Sequence, residues 1–221
     1  MFTSAVTGPG YATVGYSQVA YELTDNVIVD IRRVGSSALL IAVDEPLAWF
    51  EALVAAGLPV REIVPGAQTV LLDGVDDPEA LTQRLRSWPT PRKQAIAEGQ
   101  IDVPVTFDGE DLDAVAQHWR TSPSDTVDRI TGTRFTVAFC GFAPGFAYLS
   151  GLETPVPRLD TPRPKVPAGS VGLAGPYAGI YPTASPGGWR LIGRTDIDLF
   201  DVDRQPPALL TPGTRVRLVA A

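Results

Sequence analysis

Arg163 and Lys165 stand close together in the run TPRPKVPAG, which spans Thr161–Gly169. The backbone amides of Gly169 and Ser170 come at the end of that run. A guanidinium and an ammonium group beside backbone N–H groups make directional, charge-assisted contacts with an anion. We therefore take Arg163 and Lys165 as candidate catalytic residues of a site that holds a carboxylate or a phosphate.

His118, the only histidine of the chain, is the third candidate catalytic residue. It falls near the end of a predicted helix, Glu110–Arg120. Four residues at helical spacing define the predicted buried face of this helix: Leu112, Val115, Ala116 and Trp119. Asp111 lies on the same flank as His118, two turns and roughly 10 Å away, so both can line the edge of one cleft without touching. The alternative is that His118 is a helix-flank residue at a domain seam.

Two further runs offer surfaces for binding, Gly141–Phe146 and Pro186–Arg190. The first gives a tight backbone wall, and the second adds Trp189 and Arg190, against which a flat amide or ring can pack. The alternative for Trp189 is that its side chain packs in the core. For Tyr181, a place in the barrel core is a better interpretation than a role as an acid or base. The candidate substrate-binding residues are Gly141, Phe142, Pro144, Gly145, Phe146, Pro167, Gly169, Ser170, Tyr181, Ser185, Gly187, Gly188, Trp189, Arg190 and Arg194.

No nucleophile–base pair is visible in the sequence. Ser170 and Ser185 are far from His118 along the chain, and the sequence does not say whether they meet in space. Cys140 ends the apolar strand TVAFC, where a lone cysteine is usually an inert small hydrophobe. A single cysteine also excludes an intrachain disulfide and a zinc cluster, so we predict no metal site. Neither GxxxxGK[ST] nor a helix-opening GxGxxG occurs, so no motif marks an ATP site.

The stretch Phe139–Thr195 organises the second half of the chain. It holds 10 of the 21 glycines and 9 of the 21 prolines, yet it carries apolar residues throughout and has no short repeat. We therefore predict tight turns between short strands rather than disorder. The stretch has five basic and two acidic residues, a balance of +3 in a chain of net charge −7. This basic island favours an anionic small-molecule ligand. The net negative charge of the whole chain argues against nucleic acid, because it would repel a polyanion. The alternative to a ligand site is that the stretch is a solvated loop whose arginines keep it soluble.

Two domains are predicted. Residues 1–25 form an N-terminal extension, and residues 26–89 form a small α+β domain in the order β, β, α, β, β, α. Its first helix is predicted from Pro46 to Gly57, and Asp77 is predicted to cap the second. The apolar stripe of the first helix is predicted to be Leu47, Phe50, Leu53 and Val54. Residues 90–100, which are polar and bounded by proline, are the predicted linker.

Residues 101–221 are predicted to form a second domain, rich in β-strands, with two helices near its start. Ser122 is the predicted N-cap of the second helix, and TRFTVAFC is a predicted strand. The segments IDLFD and TRVRLV are predicted closing strands. Several short strands with turn signals roughly every 8–12 residues favour a β-barrel or a sandwich.

Four runs of the second half resemble one family closely: GFAPGFAYL (Gly141–Leu149), TPRPKVPAGSVGLAG (Thr161–Gly175), GIYPTASPGGWRLIGRT (Gly179–Thr195) and LFD (Leu199–Asp201). This is the family of the bacterial 5-oxoprolinase B subunit, also called allophanate hydrolase subunit 1. It includes a sporulation-kinase inhibitor and half of the carboxyltransferase domain of urea carboxylase. The resemblance extends more weakly from about Asn26 to the C-terminus.

The resemblance implies an α+β fold whose C-terminal half, residues 101–221, is a cyclophilin-like β-barrel. It implies a subunit that is not active alone and belongs to an ATP-dependent enzyme, which opens 5-oxoproline to glutamate. The A and C subunits of 5-oxoprolinase are its implied partners, and the B and C subunits are implied to form a tight complex. A histidine commonly stands at the position of His118 in this family. Three alternatives stay open: another amide substrate, inhibition of a sensor histidine kinase, and a cyclophilin-like peptide binder.

The chain as a whole has the composition of a globular protein, with 44% hydrophobic and 19% charged residues. No apolar run is long enough to span a membrane, and the first residues lack the basic and apolar regions of a signal peptide. We therefore expect a soluble, cytoplasmic protein with no membrane and no nucleic-acid partner.

Overall fold

The computed structural model describes residues 30–91 and 99–221. The chain divides into two compact units, residues 1–96 and 97–221. The predicted extension, residues 1–25, and most of the predicted linker, residues 90–100, lie outside the described residues. No helix in the two described ranges is long and apolar enough to cross a bilayer.

The first unit is a four-stranded antiparallel sheet with two helices, and its elements follow the predicted order. They are β1 (Asp30–Val34), β2 (Ala38–Ala42), α1 (Pro46–Ala55), β3 (Glu62–Pro65), β4 (Thr69–Asp73) and α2 (Pro78–Arg86). The strands pair in the order β1-β2-β4-β3. Its core combines sheet and helix residues, among them Leu39, Ile41, Trp49, Leu53, Val70, Leu72, Leu81 and Leu85.

The ends of the two helices are set by local chemistry. Pro46 begins α1, and Gly57, just beyond its end, has a φ of +60° that favours glycine. As predicted, Asp77 caps α2, since its carboxylate accepts hydrogen bonds from the Glu79 and Ala80 amides. The predicted apolar stripe of α1 is wrong in part. The buried residues are Ala48, Trp49, Ala52 and Leu53. The buried face thus combines one large ring, Trp49, with two small alanines, so the spacing of the aliphatic residues and Phe50 does not reveal it.

The second unit begins with β5 (Gln100–Val105) and two helices, α3 (Leu112–Trp119) and α4 (Pro123–Gly132). As predicted, Ser122 caps α4, because its hydroxyl accepts from the Asp125 amide at 3.1 Å. The remaining strands are β6 (Phe135–Cys140), β7 (Ala147–Ser150), β8 (Arg163–Val166), β9 (Ser170–Ala174), β10 (Tyr177–Ile180), β11 (Ser185–Gly187), β12 (Arg190–Arg194) and β13 (Arg215–Ala220). The glycine- and proline-rich stretch thus consists of short strands and turns, as its composition predicts.

Seven of these strands form one sheet in the order β12-β9-β10-β7-β6-β13-β5, and β8 pairs separately with β11. The two ends of the large sheet meet. Thr106, directly after β5, and Arg194, at the end of β12, exchange both backbone hydrogen bonds at 2.9 Å. A Cβ on Gly193 would overlap the carbonyl oxygen of Thr106, so glycine is needed for this approach. The sheet is therefore a nearly closed barrel, and the predicted α+β fold with a C-terminal β-barrel is confirmed.

The barrel core contains the buried faces of several strands and of α3 and α4, including Val103, Val105, Val115, Ile130, Phe135, Leu149, Leu173 and Leu218. The predicted closing strand IDLFD is wrong. Residues 197–201 form an irregular loop with one isolated bridge, Phe200 to Ala208. The carboxylates of Asp198 and Asp201 accept hydrogen bonds from backbone amides two residues on, and such local bonds compete with strand pairing.

Candidate functional site

A cavity of about 370 Å³ opens on the barrel at its glycine- and proline-rich strands and turns. Its size falls within the range of small-molecule sites. Six of its lining residues are aromatic: Phe142, Phe146, Tyr148, Tyr177, Tyr181 and Trp189. The others are Arg158, Ala174, Gly175, Pro176, Pro186 and Gly187. The lining therefore combines flat apolar surfaces with a single charged side chain.

The aromatic rings hold one another in place. Phe146 is buried, and its ring makes edge contacts with Tyr148, Tyr181 and Trp189, with ring centroids 5.1–5.5 Å apart. Tyr181 and Trp189 are themselves 2% and 8% exposed. Such edge-to-face packing adds stability to that gained from burial, so the cavity is preformed and rigid. Trp189 thus lines the cavity and also packs in a hydrophobic cluster.

Two glycines make room for this packing. Gly179 lies between Tyr177 and Tyr181 on one face of the strand, where a Cβ would come within 2.9 Å of the Phe146 and Trp189 rings. A Cβ on Gly187 would overlap the hydroxyl of Tyr181. The close spacing of glycine and aromatic residues in the sequence therefore reflects the packing of rings against bare backbone.

Phe142 stands at the rim of the cavity. Its side chain is 62% exposed, and its ring makes edge contacts with Phe146 and Tyr181. Its φ is +72°, a conformation that residues with a Cβ rarely adopt. Strain of this kind tends to occur where function requires a particular side-chain position. The turn therefore presents an aromatic ring to solvent beside the opening.

Arg158 supplies the charge of the cavity, although it is not among the binding residues predicted from the sequence. Burial raises the pKa of the Tyr181 hydroxyl, while a hydrogen bond with the Trp189 backbone and the positive charge of Arg158 lower it. Burial likewise raises the pKa of Tyr148, and Arg158 again opposes the shift. The positive charge of Arg158 therefore acts on the pKa of both tyrosine hydroxyls. Arg158 belongs to the predicted basic island, but nothing in the spacing of that stretch separates it from the other arginines.

Arg163 does not line the cavity; it is held by two carboxylates and a carbonyl. Its Nη2 donates to Asp111 at 2.8 Å, its Nε pairs with Glu110 at 2.6 Å, and its Nη1 donates to the Trp189 carbonyl at 3.2 Å. Asp111 is 6% exposed and also lies 3.6 Å from Nη1 of Arg190. These contacts tie the start of α3 to β8 and β12. They assign Arg163 a positioning role rather than an open anion site.

The backbone amides predicted to hold an anion make hydrogen bonds within the barrel. The Gly169 amide donates to the Tyr181 carbonyl at 2.7 Å, and the Ser170 amide to the Pro167 carbonyl at 3.4 Å. The Ser170 side chain is buried, whereas Pro167 and Lys165 are exposed. Lys165 makes no hydrogen bond or ion pair within the described parts of the chain. The structure therefore does not bring this predicted anion site together.

His118 and Cys140 also lie apart from the cavity lining. Nε2 of His118 is 3.0 Å from the carbonyl oxygen of Pro155 at the exposed end of α3. The Cys140 thiol donates to the Leu210 carbonyl at 3.4 Å, and burial raises its pKa to about 11. A thiol with that pKa is protonated at neutral pH and is a poor nucleophile. The described residues thus offer no His–Cys pair.

The other predicted binding residues are not among those that line the cavity. Gly141 and Pro144 are exposed in the turn that carries Phe142, and Gly145 packs against Phe200. The Ser185 hydroxyl is buried and has no hydrogen-bond partner within the described residues. Gly188 is next to Trp189, and the Arg190 Nε donates to the Pro157 carbonyl at 3.4 Å. Arg194 is exposed and pairs with Asp108 at 2.9 Å.

The family of the chain follows from its sequence as a whole. Residues 29–210 match the model of the carboxyltransferase domain, subdomain C and D. The chain belongs to this family. It is 37% identical over 204 residues to the 5-oxoprolinase B subunit of Escherichia coli O157:H7, a match that covers 84% of this chain and 93% of that protein. The resemblance indicated by the four motif runs is confirmed.

Solved structures share the fold. The crystal structure of TTHA0988 is similar, with a TM-score of 0.69 and 32% identity, over 87% of this chain but only 40% of that one. The Kluyveromyces lactis urea amidolyase has a TM-score of 0.71 at 20% identity, over 87% of this chain and 15% of its own. In both neighbours the fold of this chain thus occupies less than half of a longer polypeptide.

Proposed function

We propose that the chain is the B subunit of an ATP-dependent 5-oxoprolinase, which opens the lactam ring of 5-oxoproline to glutamate together with the A and C subunits. One observation carries the proposal. The 37% identity to the Escherichia coli 5-oxoprolinase B subunit spans 93% of that protein, so both units of this chain take part in the match. A match confined to the barrel would support only a shared fold.

The chemistry of the cavity supports one part of a complex rather than a complete enzyme. Within the described residues, the cavity is lined by no aspartate, glutamate, histidine, lysine or cysteine. Hydrolysis of an amide needs a group that takes a proton from water and one that gives a proton to the leaving nitrogen. Burial raises the pKa of the Tyr148 and Tyr181 hydroxyls that line the cavity, so at neutral pH they can give a proton but cannot take one from water. We therefore propose that the cavity binds and orients a flat ligand and that another chain of the complex supplies the group that takes the proton.

ATP fits this cavity poorly. A triphosphate carries several negative charges, and sites for it combine cations with a row of backbone amides at a helix N-terminus. The cavity has one arginine, and its walls are mainly aromatic. We therefore propose that another chain of the complex holds the ATP that the complex consumes.

Exposed apolar side chains near the cavity support assembly with a partner. Phe142, Phe200 and Val202 are 62%, 37% and 73% exposed. Gly145 lies in the turn of Phe142 and packs against Phe200, so this turn and the loop of Phe200 are in contact. Exposed aromatic residues of this kind are typical of the centres of protein interfaces. We propose that the C subunit of 5-oxoprolinase covers this side of the barrel.

The proposal is tested by leaving out one component of the reaction at a time. The chain is co-expressed with the cognate A and C subunits, the complex is purified, and glutamate release from 5-oxoproline is followed with each protein or ATP left out in turn. The proposal predicts a stable pair of the B and C subunits and turnover only in the full mixture. Turnover without this chain would contradict it. A stable complex that turns over another amide, such as allophanate, would support the alternative substrate.

Inhibition of a sensor histidine kinase is the second candidate function. That role needs an exposed apolar patch on the barrel, and Phe142, Phe200 and Val202 are the observation that favours it. The same purified chain is therefore added to the cognate kinase, and autophosphorylation is measured. Inhibition at stoichiometric amounts, with no binding to the C subunit, would replace the enzyme proposal by the regulatory one.

A further inference from the structure

Arg158 is fixed through its backbone while its side chain has no protein partner. On one side, the Leu159 amide donates to the Gly188 carbonyl at 2.8 Å; on the other, the Arg190 Nε donates to the Pro157 carbonyl at 3.4 Å. The Arg158 guanidinium makes no hydrogen bond or ion pair with any residue in the described ranges. A Cβ added to Gly188 would lie 3.7 Å from its Nη2, which places the guanidinium beside the turn that precedes Trp189.

The other arginines of the glycine- and proline-rich stretch are paired. Arg163 contacts Asp111 and Glu110, Arg190 lies 3.6 Å from Asp111, and Arg194 contacts Asp108. Their charges are balanced within the protein. Arg158, in contrast, lines the cavity, and no acidic side chain is among the cavity-lining residues that the structure describes. The cavity therefore carries one uncompensated positive charge.

The surroundings of this charge select a kind of ligand. A guanidinium binds a carboxylate through two parallel N–H···O bonds, which fix the plane of the bound group. The aromatic rings beside it offer flat, apolar surfaces for the rest of a small molecule. A ligand with one carboxylate on a flat ring satisfies both features, whereas a neutral amide leaves the guanidinium without a partner.

We propose that Arg158 binds the carboxylate of a small, flat ligand whose ring packs in the aromatic cavity, and that Arg158 sets the preference for acids over neutral analogues. The choice of 5-oxoproline as that ligand rests on the proposed function. The competing occupant, an apolar side chain of a partner protein, would not need the arginine, so the absence of any acid preference in the test below would favour it.

The experiment measures binding directly, without turnover. The full chain is titrated with two pairs of probes, and chemical-shift changes of the Trp189 indole are followed by NMR. One pair is 5-oxoproline and 2-pyrrolidinone, its ring without the carboxylate; the other is benzoate and benzamide. Each titration is run with wild type, Arg158→Gln and Arg134→Gln. Arg134 is the matched control because it is exposed, lies outside the cavity lining, and has no protein partner among the described residues.

Wild type should bind the acid of a pair about tenfold more tightly than the neutral probe, since a charge-assisted pair supplies that preference. Arg158→Gln should remove the preference without changing the weak binding of the neutral probe, and Arg134→Gln should behave as wild type. Acid preference for benzoate alone would support the cavity site but contradict 5-oxoproline as its ligand. No preference in either pair, or a preference that survives Arg158→Gln, would overturn the inference.

Discussion

One carboxylate oxygen of Asp111 accepts two hydrogen bonds, from the Arg163 guanidinium at 2.8 Å and from the Leu191 amide at 2.7 Å. The Asp111 amide in turn donates to the Leu191 carbonyl at 2.9 Å. Through these bonds the start of α3 is fixed to β12, and Arg163 is fixed to both. Because Arg163 also contacts the Trp189 carbonyl, the network positions a wall of the aromatic cavity.

Removal of this carboxylate should destabilise the barrel. Asp111→Ala removes the more buried of the two carboxylates that pair with the Arg163 guanidinium and leaves the Leu191 amide without its acceptor, at a cost of about 3 kcal/mol. Glu110→Ala is the matched control, since Glu110 contacts the same arginine but its side chain is 62% exposed. Its loss should cost under about 1 kcal/mol. The protection of the Leu191 amide against hydrogen exchange in the native state is measured for both variants. Equal protection in the two would contradict the assigned role of Asp111.

Cys140 should be chemically inert. Its pKa of about 11 lies above the ordinary value, so the thiol stays protonated as pH rises through 8 and ionises only near pH 11. Alkylation by iodoacetamide at pH 8 should therefore be about a hundredfold slower than that of a free cysteine. Cys140→Ala should retain activity in the complex. Rapid labelling of the folded chain at pH 8 would show that the thiol is not held as described.

Closure of the barrel should depend on the bare backbone of Gly193. Gly193→Ala forces a Cβ against the Thr106 carbonyl at the point where β5 and β12 meet. We expect a loss of about 2 kcal/mol, seen as a lower midpoint of thermal unfolding. Gly132→Ala is the control, because an added Cβ there meets nothing within 4 Å. A similar midpoint for both variants would mean that the two ends of the sheet do not approach as closely.

Phe142 should matter for function and little for stability. Its ring is mostly exposed, so Phe142→Ala should change the free energy of unfolding by less than about 1 kcal/mol. Since Phe142 stands at the rim of the cavity, the same change should weaken assembly with the C subunit or turnover about fivefold or more. Val34→Ala, which alters an exposed apolar residue of the first unit, serves as the control. If Val34→Ala also weakened assembly or turnover fivefold, the effect of Phe142→Ala could not be assigned to the rim of the cavity.

Local chemistry made part of this structure predictable. Asp77 and Ser122 cap their helices because capping needs only residues two or three positions away. The turn-rich stretch followed from composition, and Tyr181 is buried in the barrel as expected. These features depend on neighbours in the sequence.

The predictions that failed concern residues whose environment is set by parts of the chain far away in sequence. Arg163 was taken as free to bind an anion, but its partner Asp111 lies 52 residues away. Arg158 looked like any basic residue of the stretch until the fold left it without a partner. Contacts of this separation are set by strand order and not by spacing, so the sequence located the basic island but not the arginine that lines the cavity.

The most direct measurement is the Michaelis constant for 5-oxoproline of the purified complex of the A, B and C subunits with ATP. With Arg158→Gln in this chain, KM should rise about tenfold and kcat should change little, because the lost contact is made equally in the bound substrate and the transition state. Arg134→Gln should match wild type. A KM unchanged by Arg158→Gln, or no 5-oxoproline turnover by the wild-type complex, would contradict the shared active site.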